Sequence, residues 1–388
     1  MAQKPSLPVI LDYTFKTSQR KTIRKIMRRL ELLDYGRFFA AVMVLLFHYT
    51  FNGILNGKIS TITHIEPLIE ITKYGYLGVE LFFMISGYVI FFSAKNRSPT
   101  QFAVSRAVRL YPSYWFAIIF TSFFSLLWGG EKMAVYFTQI LVNLTMLQSW
   151  IGFSHVDGVY WSLAYEISFY AAVSIALLAG LQKHLESLFI IWPLLMCAAF
   201  FLNMEHLPYL GGYYYYFSAG ALFAILKEKR NFYTIFPLLL ILGLCVTFSL
   251  GVAEVKTLKQ GTVYSAPIIA GIVSTFFVFF LLQNNVKVQS LRLPLSNTLG
   301  ALTYPVYLIH AHFGYMFISQ FATEKNKQFI YLLTVLIVIS TAFIMHKLIE
   351  LRLSSLWKWL FKSTLGQVIT VIDNFPKKLK IAYKSYLN

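Results

Sequence analysis

Long apolar runs separated by short polar stretches set the pattern of this chain. A helix needs about 20 apolar residues to cross a hydrocarbon core of roughly 30 Å. Runs near that length fall at Tyr35 to Leu55, Tyr74 to Ala94, Tyr111 to Trp128, Tyr160 to Leu181, Leu188 to Leu202, Tyr213 to Leu226, Ile235 to Leu250, Thr262 to Leu282, Leu299 to Phe321 and Phe329 to Leu348. The expected fold class is all-α: a polytopic membrane protein, a bundle of about ten transmembrane helices. Met133 to Trp150 is nearly apolar enough to add another, but Glu131, Lys132, Gln139, Asn143 and Gln148 flank or interrupt it. It is expected as an interfacial or re-entrant element on the outer face.

A composition of 57% hydrophobic and 13% charged residues excludes a soluble globular chain. An even number of spans puts both termini on one side. Most of the 34 Lys and Arg residues lie in the tails and in the loops on that side, so both termini are expected in the cytoplasm. This asymmetry, with attraction to anionic lipid, accounts for the net charge of +18 and requires no nucleic acid. Three segments follow: 1–33 as a basic amphipathic tail, 34–352 as the transmembrane domain, and 353–388 as a basic tail on the membrane surface. Cys197 and Cys245 have no ligand spacing and are expected as core residues, with no metal site. The first 33 residues lack the apolar stretch of a cleavable signal peptide, so the first span is expected to direct insertion.

Ionisable groups inside apolar spans are costly and point to function. Arg37 and His48 lie eleven residues apart on the first span, which carries His48 about 16 Å deeper along the helix. Counting inward from the ends of their spans places Glu80, Glu166 and His310 near the same level as His48, in the outer half of the membrane. A histidine with a carboxylate to fix its tautomer is what general base catalysis near neutral pH requires. The plain alternative is a set of polar groups that pack helices together. Arg106 and Arg109 share a helical face at the cytoplasmic end of the third span, where they could grip phosphate oxygens or anchor to lipid headgroups. His155 and Asp157 are expected in an outer loop, either solvated or touching an acceptor. Pro305 frees the carbonyl of Ala301 and is expected to kink the ninth span just before His310.

These residues resemble a known family. Asp34-Tyr-Gly-Arg-Phe-Phe-Ala-Ala with Phe47-His48 is similar to the opening of the acyltransferase family 3 membrane proteins. Gly78-Val-Glu-Leu-Phe-Phe-Met-Ile-Ser-Gly-Tyr, Arg106-Ala-Val-Arg109-Leu-Tyr-Pro and Trp161-Ser-Leu-Ala-Tyr-Glu166 resemble its later motifs. Tyr304-Pro-Val-Tyr-Leu-Ile-His310 and Leu348-Ile-Glu350-Leu-Arg352 resemble its closing signatures. Pro305, where the family often has serine, and Leu351 and Leu353, in place of a basic-proline ending, depart from the pattern.

The resemblance implies an integral protein of a bacterial inner membrane. It would move an acyl group, usually acetyl, from cytoplasmic acetyl-CoA to a hydroxyl of a carbohydrate or glycolipid beyond the membrane, such as lipopolysaccharide O-antigen or exopolysaccharide. Arg37, Arg106 and Arg109 would then hold the acyl-CoA phosphates. His48 would act as general base or as an acyl-carrying nucleophile, Glu166 or Glu80 would orient it, and His310 would stabilise the oxyanion. The alternative reading is a proton-coupled secondary transporter using the same buried groups as a relay.

Overall fold

The computed structural model describes residues 30–375. The basic helix expected in the N-terminal tail therefore lies almost wholly outside the described residues, as does the end of the C-terminal tail. Among the described residues every regular element is a helix. In chain order they are α1 (Glu31–Leu55), α2 (Glu66–Lys95), α3 (Pro99–Trp128), α4 (Gly158–Leu178), α5 (Leu181–Phe201), α6 (Tyr214–Glu228), α7 (Phe232–Gln260), α8 (Ala266–Gln283), α9 (Ser296–Ile309), α10 (Ala311–Phe321), α11 (Lys327–Arg352) and α12 (Ser354–Ser363). All but α6, α9, α10 and α12 are long and apolar enough to cross a membrane, which makes this an integral membrane protein.

The remaining two expected spans are helical, one short and one broken. One is α6, 15 residues long, with Tyr215 through Leu226 all buried. A helix apolar all round belongs in a core, and α6 is enclosed by its neighbours. Its backbone touches that of α2: a Cβ on Gly87 would sit 2.0 Å from the Phe217 carbonyl oxygen, and one on Gly220 1.9 Å from that of Met84. The other is divided into α9 and α10, with the interruption at His310.

Met133 to Trp150 does not cross the membrane; it holds only the short helices Phe137–Asn143 and Gln148–Ile151. At one end Ser125 donates to the Met133 carbonyl. At the other, Tyr111 Oη donates to the Thr145 carbonyl (2.9 Å) and Trp115 Nε1 to that of Leu144 (2.8 Å). Ser125 and Tyr111 are about 20 Å apart along α3, so the segment runs inward beside α3 before the chain enters α4, as a re-entrant element does and one lying along the surface does not. Backbone at such depth must be satisfied internally. The amides of Gln139 and Asn143 do this, donating to the carbonyls of His155 and Ser154 at 3.0 Å each.

The tail after α11 is packed rather than merely laid on the surface. On α12, Trp357 Nε1 donates to the Ile349 carbonyl (2.7 Å), and Phe361 stacks on Trp115 of α3 with centroids 5.8 Å apart. Trp359 stays exposed.

Candidate functional site

A cavity of about 1030 Å³ opens among α1, α2, α3, α4 and α9, and its walls carry Arg37, Arg97, Arg106, Arg109 and Lys358 against Asp34, Glu166 and Glu350. Sequence reasoning had picked out Arg37, Arg106 and Arg109, and the fold brings all three to this one space. Each is held. Arg37 meets Asp34 at 3.1 Å, one turn away on α1. Arg106 lies over the Tyr170 ring at 5.8 Å and Arg109 over the Tyr304 ring at 5.5 Å. Arg109 is also 3.6 Å from Glu350, whose carboxylate accepts from Ser113 and pairs with His346, both at 2.7 Å. Arg97 and Lys358 carry no sequence signal, since nothing in their spacing links them to the paired arginines, and Glu350 stands in a closing signature without a role assigned to it. The balance of charge favours an anion, and the volume is that of a small-molecule site.

The histidines form a second centre. The rings of His48 and His310 meet edge to face, with centroids 5.1 Å apart. Each sits at an irregularity in its helix. His48 opens a π-helical turn, His48–Asn52, a feature that re-aims side chains and recurs at functional sites. His310 occupies the interruption between α9 and α10, five residues after Pro305. His310 Nδ1 lies 2.7 Å from the Tyr307 carbonyl. A carbonyl only accepts, so Nδ1 carries a proton, and in the neutral ring the lone pair is on Nε2. That Nε2 is buried with no partner among the described residues. His48 Nδ1 is bonded to the Tyr315 hydroxyl, with Asn52 Nδ2 close to both.

The carboxylates do not join the histidines as expected. Glu166 faces the arginine cavity, where it accepts from Tyr170 and, at 3.4 Å, from Ser86. Ser86 follows Glu80 by six residues on α2, so Glu166 and Glu80 differ in depth by about 9 Å rather than sharing a layer. The cause is the re-entrant segment. Counting inward from the start of the fourth span assumed that it begins at the surface, but the chain enters α4 from inside the protein. Glu80 is fully buried, and neither of its oxygens has a hydrogen-bond partner among the described residues. Tyr315 and Asn52 hold the His48 ring where a glutamate was expected.

The acid nearest the histidines is Asp157, expected in an outer loop, solvated or touching an acceptor, and found fully buried. Its Oδ1 accepts from Val159 N (3.1 Å) and its Oδ2 from His312 N (2.9 Å). His312, unassigned from sequence, meets Lys58 Nζ through Nε2 at 2.7 Å. Between this cluster and the cavity stands Tyr307. It lines the cavity, packs on Phe82 at 5.6 Å, bonds Ser162 at 2.6 Å, and holds His310 by its carbonyl.

A family model described as an acyltransferase domain matches residues 30–349, which include the histidine pair and every cavity residue named above except Glu350 and Lys358. No curated protein and no solved structure matches the chain.

Proposed function

We propose, for a chain that belongs to acyltransferase family 3, that the acyl group it transfers comes from acyl-CoA, most simply acetyl-CoA, and goes to a carbohydrate hydroxyl on the opposite side of the membrane. The observation that carries this reading is the cationic cavity ending one residue short of a pair of imidazoles, His310 buried and His48 partly so. Arg37, Arg106 and Arg109, with Arg97 and Lys358, would take the donor's phosphates, since guanidinium forks suit phosphate oxygens. The flexible arm of the donor then needs to reach only past Tyr307 to bring its thioester to His48 and His310.

At the histidines, an imidazole Nε2 accepts the proton of the acceptor hydroxyl as its oxygen attacks the thioester carbon. The new C–O bond replaces the C–S bond, and the imidazolium returns its proton to the departing thiolate. His48 is the proposed base, with Tyr315 as its orienting partner, and the Nε2 of His310 is the adjacent acceptor. Arg106 and Arg109 would face the cytoplasm, with the loop around Lys58 on the acceptor side of an inner membrane.

The test is twofold. Detergent-purified protein should bind acetyl-CoA in a titration calorimeter. Cells containing the protein should carry labelled acetate on surface glycan, and cells lacking it should not. Binding without any transfer to glycan would redirect the acceptor half of the reading, and no binding would end the donor half.

A further inference from the structure

Resting on the acyl-transfer reading above, we propose that Asp157 is a positioning residue for His310, acting through the interruption between α9 and α10. The ring of His310 has no bond outside its own helix among the described residues: Nδ1 is committed to the Tyr307 carbonyl and Nε2 has no partner. Where the ring sits is therefore decided by where the backbone of the interruption sits.

That backbone is gripped by the segment entering α4. Asp157 caps two helical starts with one carboxylate. Oδ1 takes the N–H of Val159 in its own short turn, and Oδ2 takes the N–H of His312 in the first turn of α10, where helix donors lack partners. Gly158 N donates to His312 Nε2 at 3.3 Å, Tyr307 Oη donates to the Val159 carbonyl at 3.0 Å, and Tyr160 Oη donates to the Leu308 carbonyl at 3.2 Å. From the other side, Tyr49 Oη donates to the His310 carbonyl at 2.8 Å. Tyr49 directly follows His48, so one set of bonds fixes the two rings relative to each other.

Within this set Asp157 cannot be replaced by a neutral group. Both of its oxygens receive N–H donors, and an asparagine turns an NH₂ toward one of them. A misplacement of about 1 Å at a reacting group costs on the order of 100-fold in rate.

The experiment compares wild type with Asp157→Asn and Tyr160→Phe, using detergent-purified full-length protein. Acetyl-CoA titration reads the cavity, steady-state transfer reads kcat and KM, and solid-state NMR of ¹⁵N-histidine protein, assigned with His310→Gln, reads the imidazole nitrogens. Asp157→Asn should lower kcat about 100-fold, leave the KM and binding of acetyl-CoA unchanged, and shift or broaden the His310 signals. Tyr160→Phe, which removes a separate bond to the same stretch, should show a smaller drop in kcat at unchanged KM. Should Asp157→Asn fail to fold, the Tyr160→Phe result decides. Normal kcat, an unmoved His310 signal, or an equal change in donor KM would each overturn the proposal. The NMR arm does not depend on turnover, so a failure of the acyl-transfer reading would be seen separately.

Discussion

His48 and His310 come from opposite ends of the chain and meet with ring centroids 5.1 Å apart. Bringing two imidazoles together in a low-dielectric interior has a use if protons move there, since a neutral pair offers lone pairs that lysine or arginine cannot.

Replacing either histidine tests the pair. His48→Ala and His310→Ala should each reduce transfer by at least 100-fold while the titrated affinity for acetyl-CoA stays within a factor of two, because neither ring lines the cavity. Tyr315→Phe should give an intermediate loss. A well-folded His48→Ala protein with full activity would remove the general base assignment.

The arginines should behave differently. Arg106→Ala and Arg109→Ala are expected to raise the acetyl-CoA KM with little change in kcat, and lysine at either site should recover only part of the affinity, lacking the fork. Glu350→Gln should produce a milder rise, through Arg109. Variants that bind donor normally but fail to insert would favour a headgroup anchor.

Glu166→Gln separates the sequence expectation from the geometry. If Glu166 oriented a histidine, kcat would fall. Because it faces the arginine cavity and accepts from Tyr170, the expected result is a changed donor KM at nearly constant kcat, read from the same titrations.

Gly87→Val and Gly220→Val probe the contact between α2 and α6. With backbone oxygens about 2 Å from the new Cβ atoms, each helix has to move as a whole. The expected destabilisation is about 3 kcal/mol, the upper end for overpacking, and should show as a lower thermal midpoint in detergent.

Sidedness can be read with single cysteines in a protein lacking Cys197 and Cys245. Cysteine at Lys325 should react with an impermeant thiol reagent in intact cells, whereas cysteine at Lys229 should react only after lysis. Labelling of both in intact cells would contradict the proposed orientation.

The apolar runs made most of the helices legible, because span length and composition are local properties. So was the pairing of Arg106 and Arg109, since positions one helical turn apart share a face; Arg37, on another helix, was grouped with them only through the family resemblance. That neither glutamate meets the histidines was not legible. Assigning Glu166 by depth required knowing where α4 starts, and that depends on Gln139 and Asn143 holding a hairpin to residues 154–156, a tertiary fact. Asp157 looked like a loop residue because a buried N-cap and a solvated turn use the same amino acid. Glu350 and Lys358 reach the cavity only because α11 ends in a π-helical turn and α12 folds back on α3.

The aromatic partition of Tyr307 and Phe82 also bears on the membrane as an insulator. A water-filled recess carried deep into a bilayer thins the barrier that holds an ion gradient, and histidines beyond it would be ready carriers for a proton leak. Tyr307 stands on the cavity wall, with its hydroxyl tied to Ser162 and Val159, and neither His48 nor His310 lines the cavity. On the proposed acyl-transfer reading, the donor's arm would have to displace this ring to reach the histidines.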